Sequence, residues 1–492
     1  MNSPFNEAKY KALLEGLEIN VINYSNLFSI EDKIFRIDSE HYQKIYREII
    51  RKIKCKPNKK LSELIDTPVI TGHTPSMKID RYYGGKIKFI KTDNLRENRI
   101  IGEFSHTLTE EGNKQILRSE LREGDIITTI IGATYDIVGR TSIIQKEILP
   151  ANINQNIALI RPNKKLVNPD YLNIYLNTEY GRNLLYWQSR QTGQVNLNCR
   201  EVERIYVPIF KLLEKNIEEI VRKIEENKIK CKLKYRQAEE ILLEELGLKD
   251  FVPSNEPVNI KSFKESFLST GRLDADYYQK KYEDFIRLIK SYKNGFESFL
   301  SACNLKDKNF TPDEKKQYKY IELANIGKTG DISGCTVSLG KDLPTRARRI
   351  VRENDVIISS IEGSLDSCAL ITKEYDNALC TTGFYVVNSD KINSETLLIL
   401  FKSEPMQNIL KKGCSGTILT AINKTELEQI PIPLVDYTKQ QQIAELIEES
   451  FSLKKQSEEL LETAKRAVEI AIEEDEKKAI EYIKSEVSYY VS

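Results

Sequence analysis

The sequence predicts an α+β protein in which two similar mixed α/β domains alternate with two long helices. The helices are expected to form an antiparallel coiled coil, giving an internal pseudo-two-fold repeat. Three observations predict this. Residues 36–51 and 272–287 align without gaps, with eight identities in sixteen positions. The same order of β-type runs and helices follows each stretch. Two heptad-patterned segments then occupy equivalent places in the two halves.

The repeat is anchored by Arg36, Asp38, Tyr42, Gln43, Lys44, Tyr46, Ile50 and Arg51. They match Arg272, Asp274, Tyr278, Gln279, Lys280, Tyr282, Ile286 and Arg287. Weaker matches continue: residues 88–95 with 319–326, 123–127 with 353–357, Glu179 with Glu404, Gly193 with Gly416, and 205–208 with 430–433. The offset drifts from 236 to about 223, as insertions in loops produce. A period this long lets each copy hold its own core.

Each copy is expected to open on a helix containing the Arg-x-Asp stretch. Runs rich in Ile, Val, Thr, Tyr and Phe follow at 87–91, 125–131, 141–144 and 157–161, and at 319–323, 356–360, 369–372 and 384–387. Bounded by Gly, Asn or Asp, they read as strands. One helix follows in each copy, at 169–188 and 394–410, and Pro169 suits a first helical turn. A short strand ending in proline leads into each long helix. The expected boundaries are an N-terminal helical segment at 1–20, domains at 21–208 and 251–433, and spacer helices at 209–250 and 434–492.

In the first spacer Ile217, Val221, Ile224, Lys228, Cys231, Tyr235, Ala238 and Leu242 follow steps of four and three, interrupted only by Lys228. In the second, Ile443, Leu446, Ser450, Leu453, Ser457, Leu460, Ala464, Ala467 and Ala471 do the same. Apolar seams with charged flanks are a coiled-coil pattern. The alternative is two amphipathic helices lying on their own domains. Their equivalent repeat positions favour mutual packing.

With 40% hydrophobic and 30% charged residues, the composition is that of a globular chain. No apolar run approaches the ~18 residues of a membrane span. The polar amino terminus points to the cytoplasm. Eight scattered cysteines and three histidines form no metal-ligand spacing, so neither a disulfide framework nor a zinc site is expected. The net charge of +1 hides a sorted distribution. Residues 21–207 carry +7, 208–250 balance, 251–433 carry +1 and 434–492 carry −6. A positive domain can face phosphates while an acidic helix faces solvent or protein.

Three motifs resemble catalytic signatures. Asn168-Pro169-Asp170-Tyr171 is one proline short of an adenine-methyltransferase tetrapeptide and reads as a helix cap. Gly327-Lys328-Thr329 has Glu322 where a phosphate loop needs glycine, and Pro312-Asp313 is a common turn.

Thr71-Gly72-His73-Thr74-Pro75-Ser76 resembles the opening of the target-recognition domains of specificity subunits in Type I restriction-modification systems. Tyr83-Gly84-Gly85, Phe89-Ile90-Lys91, Asp93-Asn94-Leu95, Glu123–Ile127, Ile131-Gly132, Val138-Gly139-Arg140 and Asn154-Gln155-Asn156 resemble later blocks of that family. So do the closing Ile-x-Val/Ile-Pro strands and Gln440–Ile443. The second copy departs from the pattern, keeping only Thr311-Pro312 of the first block and carrying Glu362-Gly363 for Ile131-Gly132.

The resemblance implies a DNA-reading subunit without catalysis of its own. Each domain would read one half of a bipartite, asymmetric site, and the coiled coil would set the gap. The implied partners are double-stranded DNA, two methylation subunits and restriction subunits. S-adenosylmethionine, ATP and magnesium would belong to those partners. A methyltransferase or nuclease reading its own site, or a coiled-coil scaffold that binds only protein, are the competing functions. Candidate DNA contacts are Thr74, Ser76, Lys78, Arg81, Tyr82, Lys86 and Lys91 around the Thr-Pro-Ser loop, with Arg140, Arg190 and Gln194. In the second domain they are Arg346, Arg348 and Arg349, expected just before a strand, with Ser415 and Thr417. Cationic loops suit phosphate contact, and arginine pairs bidentately with guanine. Solvated surface charge and strand-edge protection are the plainer readings of the same residues.

Overall fold

A computed structural model describes residues 39–488 except 102, 103, 135, 193 and 417–419, together with short strands at Phe28–Ser29 and Ile34–Phe35. Expectations for residues 1–20, Arg36, Asp38, Gly193 and Thr417 lie outside the described residues. The chain divides into two compact units, Met1–Glu225 with Gln456–Ser492, and Glu226–Lys455. Each therefore contains one copy of the repeat and a part of both long helices.

The first unit begins its described core with the helix Lys44–Lys54, which buries Tyr46, Ile49 and Ile53 along one face. The apolar runs Ile126–Thr129 and Ile157–Ile160 are buried throughout and pair antiparallel. Thr141–Ile143 and Ile70–Thr71 complete that four-stranded sheet. A second sheet pairs Ala151–Ile153 parallel to Tyr83–Ile90, with Thr107–Leu108 on the far side. The exit strand Tyr206–Pro208 returns to Asn58–Lys60.

The second unit repeats this plan. Its helix Lys280–Lys290 matches Lys44–Lys54 at the same offset. Cys368–Leu370, Val356–Ser359, Phe384–Asn388 and Asn304–Leu305 form the corresponding four-stranded sheet. Gln317–Ile321 runs parallel to Leu379–Thr381, as its counterpart does in the first unit. The exit strand Pro431–Pro433 pairs with Phe296–Ser298. Even a buried aspartate is repeated in place, although its cation follows a different strand. Asp125 accepts from the Arg122 amide and holds Arg161, while Asp355 accepts from the Arg352 amide and holds Lys306.

Several expectations need correction. The single helix after the strands is two in each copy, Pro169–Leu176 with Glu179–Gln188 and Ser394–Lys402 with Glu404–Lys412. In the first copy Thr178 caps the second helix by accepting from the Gly181 amide. A side chain at Gly181 would strike the Tyr175 carbonyl, so the two helices turn backbone against backbone. In the second copy Pro405 lies in the first turn of the new helix, where a residue lacking an N–H is tolerated. In the second copy the Arg-x-Asp stretch lies outside the opening helix. Asp274 precedes a short 3-10 turn, and Arg272 holds its carboxylate through two bonds of 2.8 and 2.6 Å.

The long helices are Lys211–Glu245 and Tyr437–Glu473, followed by a further helix Glu476–Ser488 in place of one unbroken second spacer. That break has a use. Glu476 accepts from the Leu212 and Leu213 amides at 2.8 and 2.9 Å, capping the first long helix from the other end of the chain.

The two helices pack together and antiparallel. In the first unit Leu213, Ile217, Ile220 and Ile224 share a core with Leu460, Ala464, Ala467, Val468, Ala471 and Ile472. In the second, Ala238 and Leu242 join Ile443 and Ile447, and Lys234 pairs with Glu449 at 2.7 Å. The seam is displaced by one residue from the expectation in places. Ile220, Asn227 and Ile447 are buried, whereas Lys228 is exposed and Val221, Leu446 and Leu453 are half-buried. One residue turns an α-helix by about 100°, so a flanking apolar residue can pass for the seam itself. Ile217, Ile224, Leu242, Ile443 and Leu460 are buried.

Candidate nucleic-acid interface

In the first unit the short strand Ile70–Thr71 delivers the chain to Gly72, whose amide donates to the Ile157 carbonyl at 3.2 Å. A Cβ at Gly72 would collide with the Ile153 carbonyl, so only glycine allows this approach. The Thr74 hydroxyl then donates to the Gln155 side chain, and the Tyr83 hydroxyl donates to the Pro75 carbonyl at 2.5 Å. Three sequence blocks thus converge on one loop: Thr71–Ser76, Tyr83–Gly85 and Asn154–Asn156.

Ser76, Lys78, Arg81 and Lys86 are exposed beyond this anchor, and Tyr82 is half-buried. Arg81 pairs with Glu111 at 3.1 Å and lies over the Tyr82 ring. Lys91 is directed elsewhere, its ammonium 2.7 Å from His106 Nδ1.

Arg140 belongs to a second cationic group that the sequence reading missed. Burial, and then the guanidiniums of Arg96 and Arg182, push Arg140 below its ordinary pKa, with Asp136 and Glu97 opposing. Its Nε donates to the Asp136 carbonyl at 2.5 Å. Arg96 sits on a hairpin, Leu95–Arg96 against Arg99–Ile100, whose turn residue Asn98 has φ 55°. The Asn98 side chain accepts from Asn173 at 2.9 Å and Asn177 at 3.0 Å, tying the hairpin to the helices. The sequence shows an asparagine between two arginines, a turn signal, but nothing that places it beside Arg140 and Arg182. Arg190 stands apart, 62% exposed and 3.2 Å from buried Glu201. Gln194 lies on the strand Gln194–Asn196.

In the second unit Arg346 is exposed just before a strand of its own, Ala347–Ile350, which carries Arg348 and Arg349. That strand forms the edge of its sheet and is bulged between Ala347 and Arg349. The bulge separates the arginines. Arg348 Nε donates to the Thr345 carbonyl at 3.1 Å, whereas Arg349 lies beside Asp307, which Lys424 and Arg349 hold below the usual carboxylate range. One buried Nη1 of Arg349 has no hydrogen-bond partner. Ser415 is exposed on the small strand Cys414–Ser415.

The three catalytic look-alikes are structural. Asn168 accepts from the Asp170 and Tyr171 amides, capping its helix. Burial, with Glu218 and Glu225 nearby, raises the Asp170 carboxyl to about 6 against the pull of Lys164. Gly327–Gly330 is a tight turn closed by the Gly327 amide on the Asp331 carbonyl at 2.8 Å, and Asp331 pairs with Lys454. Asp313 accepts from the Lys315 amide at 3.0 Å, an Asx turn. Among the described residues no group of three or more His, Cys, Asp or Glu side chains is placed to hold a metal, and no helix is long and apolar enough to cross a membrane.

The family model for the Type I restriction modification DNA specificity domain matches residues 297–463. The Type I restriction enzyme EcoBI specificity subunit of Escherichia coli is 28% identical over 140 residues, spanning 28% of this chain and 28% of that protein. The MjaVIII specificity subunit of Methanocaldococcus jannaschii is 24% identical over 410 residues, 81% of this chain and 88% of that protein. The chain is thus similar to Type I restriction-modification DNA specificity subunits, within one domain by the family model and over most of its length by the second relative. Solved structures similar to it include the S subunit from M. genitalium, with a TM-score of 0.38, 11% identity and coverage of 84% of this chain and 94% of that one. The HsdS subunit from Thermoanaerobacter tengcongensis gives 0.29, 14%, 85% and 96%. The family's domain model falls on the copy that lacks the Thr-Gly-x-Thr-Pro-Ser block, so the match does not hang on that motif.

Proposed function

We propose that each copy of the repeat reads one half of a bipartite, asymmetric DNA site and that the paired helices set the gap, with no chemistry performed by this chain. The observation that carries this is duplication with divergence. Two units share one sheet plan and one parallel strand pair, yet differ where cationic residues are exposed. The first offers Lys78, Arg81 and Lys86 around the Thr-Pro-Ser loop, and half-buried Arg96 and Arg140 beside the buried Arg182. The second offers Arg346 just before a bulged edge strand and Arg348 on it. Phosphate contact would fix register, and guanidinium forks would supply base discrimination of ~1–3 kcal/mol per good pair.

Methylation and restriction subunits are the proposed partners, carrying S-adenosylmethionine, ATP and magnesium. Val258, Ile260, Phe263 and Leu268 are all more than half exposed, a stretch of apolar surface suited to a protein partner. A reader of host DNA would work in the cytoplasm, where the eight unbridged cysteines would stay reduced. Methylome sequencing of the host with and without this gene tests the reading. One bipartite motif, with two unlike halves, should vanish with the gene. Loss of no motif, or of a single contiguous one, would sink it.

A further inference from the structure

The helix Lys280–Lys290, the residues before it and the end of the helix Glu404–Lys412 line an open cavity of about 570 Å³ in the second unit. Its lining holds four cations, Lys261, Arg287, Lys290 and Lys412, against two carboxylates, Glu265 and Glu283. Most are already engaged. Glu283 takes Lys261 at 2.6 Å, Glu265 accepts from the Ser262 hydroxyl at 2.7 Å, and Arg287 pairs with Asp284 at 2.8 Å. Lys290 and Lys412 remain, neither with a carboxylate at ion-pair distance among the described residues. Lys412 Nζ sits over the Tyr277 ring, 3.5 Å from its centre, and Arg272 lies over the same ring at 4.3 Å. Arg272 is committed to Asp274 and the Cys414 carbonyl. Lys412 is a half-buried cation that the fold leaves without an anion.

The repeat supplies an internal comparison. Tyr277 corresponds to His41 and Lys412 to Trp187 at the offsets of their segments. In the first unit Trp187 stacks on His41 with ring centres 4.6 Å apart, and its Nε1 donates to the His41 carbonyl at 2.7 Å. That joint is filled by two rings. The equivalent joint of the second unit has exchanged the indole for an ammonium beside open volume.

We propose that this cavity is a phosphate-binding site of the second unit, with Lys412 and Lys290 as its cationic ligands. The hydroxyls of Thr270 and Ser291 line the same space but donate to the Ser266 and Leu288 carbonyls at 2.9 Å, so the two ammonium groups carry the binding. Lysine binds phosphate as a point charge and needs no planar fork. Burial, with Arg272 and Lys290 adding to it, lowers Lys412 to about 8 against the pull of Glu426 and Glu283. A bound anion would restore its charge, so binding should take up protons above that pH.

The full-length chain tests this with inorganic phosphate and a duplex oligonucleotide as probes. Phosphate should raise the wild-type melting temperature above that in chloride of equal ionic strength. Lys412→Gln should raise the half-saturating phosphate concentration at least about tenfold, while Lys412→Arg retains the response. Lys412→Trp, carrying the first copy's side chain, should abolish it. Lys290→Gln is the second variant if Lys412→Gln fails to fold in chloride, and should weaken binding in the same direction. The duplex distinguishes the source. A salt slope shallower by ~0.9 in Lys412→Gln assigns the site to a DNA phosphodiester. An unchanged slope with the phosphate response lost assigns it to free phosphate. Equal phosphate stabilisation of wild type and the folded variants, with unchanged slope, overturns the proposal.

Discussion

The Ser450 hydroxyl donates to the Cys231 carbonyl at 3.0 Å, from one long helix to the backbone of the other, and lies 3.3 Å from the Cys231 thiol. Ser450 is fully buried. A side chain this short reaches a facing main-chain carbonyl only where the helices approach closely, and Ser457 continues the run of small buried residues. Register between the helices is thus fixed by size as well as by hydrophobicity.

Ser450→Ala should cost about 1 kcal/mol, the ordinary net value of a hydrogen bond, because the Cys231 carbonyl sits within a helix and keeps its own turn. Ser450→Leu should cost more, about 1–3 kcal/mol, by forcing the helices apart. Urea midpoints at unchanged slope measure both. Stabilisation by leucine would show that the seam has spare room there.

Gly72→Ala should damage the Thr-Pro-Ser loop selectively. Its new Cβ meets a backbone carbonyl, which cannot rotate aside. We expect DNA affinity to fall at least about tenfold, with helix content by circular dichroism preserved. Unchanged affinity would mean that the loop does not touch DNA.

The repeat, the strands and the paired helices were legible because each is a periodic or duplicated pattern. What was not legible is three-dimensional. Nothing local separates Val221 from Ile220 as the seam residue, since both are apolar and one step apart. The break at Thr178 depends on Gly181 meeting the Tyr175 carbonyl, a contact within the fold. The grouping of Arg96, Arg140 and Arg182 joins residues that the chain keeps far apart. The convergence of the Thr-Pro-Ser and Asn-Gln-Asn blocks on one loop is equally invisible in the sequence, which keeps them some eighty residues apart.

Asp170 gives a pH-dependent test. Its carboxyl is raised to about 6, so the folded state binds the proton more tightly than the unfolded chain. The stability this supplies is complete below the unfolded value near 4 and is lost as pH rises through about 6. Asp170→Asn should therefore melt higher than wild type at pH 7.5, and the difference should close as pH falls towards 4. A constant difference across that range would show that Asp170 is not the titrating group.

Lys78→Ala with Arg81→Ala should weaken binding to all duplexes alike. Each lost phosphate contact flattens the logarithmic salt dependence by ~0.9, so the double variant should lose up to about 1.8. Arg81 is half committed to Glu111, and that exposed pair is too weak to hold it against a phosphate. A loss confined to one sequence would instead make these residues base readers.

The helices make the sharpest prediction. Cys231 faces Ser450 in an antiparallel pair, so Arg236 lies opposite the neighbourhood of Glu445. Four residues inserted after each would lengthen both helices by ~6 Å while turning them slightly more than one full turn. At ~3.4 Å per base pair that is just under two steps of duplex. Seven residues would add ~10.5 Å, about three steps, and keep the heptad intact. If the helices are the ruler, the gap in the methylated site should grow with insert length while both half-site sequences stay unchanged. Each added base pair also turns the duplex by about a tenth of a turn, so the longer insert should methylate more weakly. An unaltered gap in both folded variants would mean that partner subunits, not these helices, set the spacing.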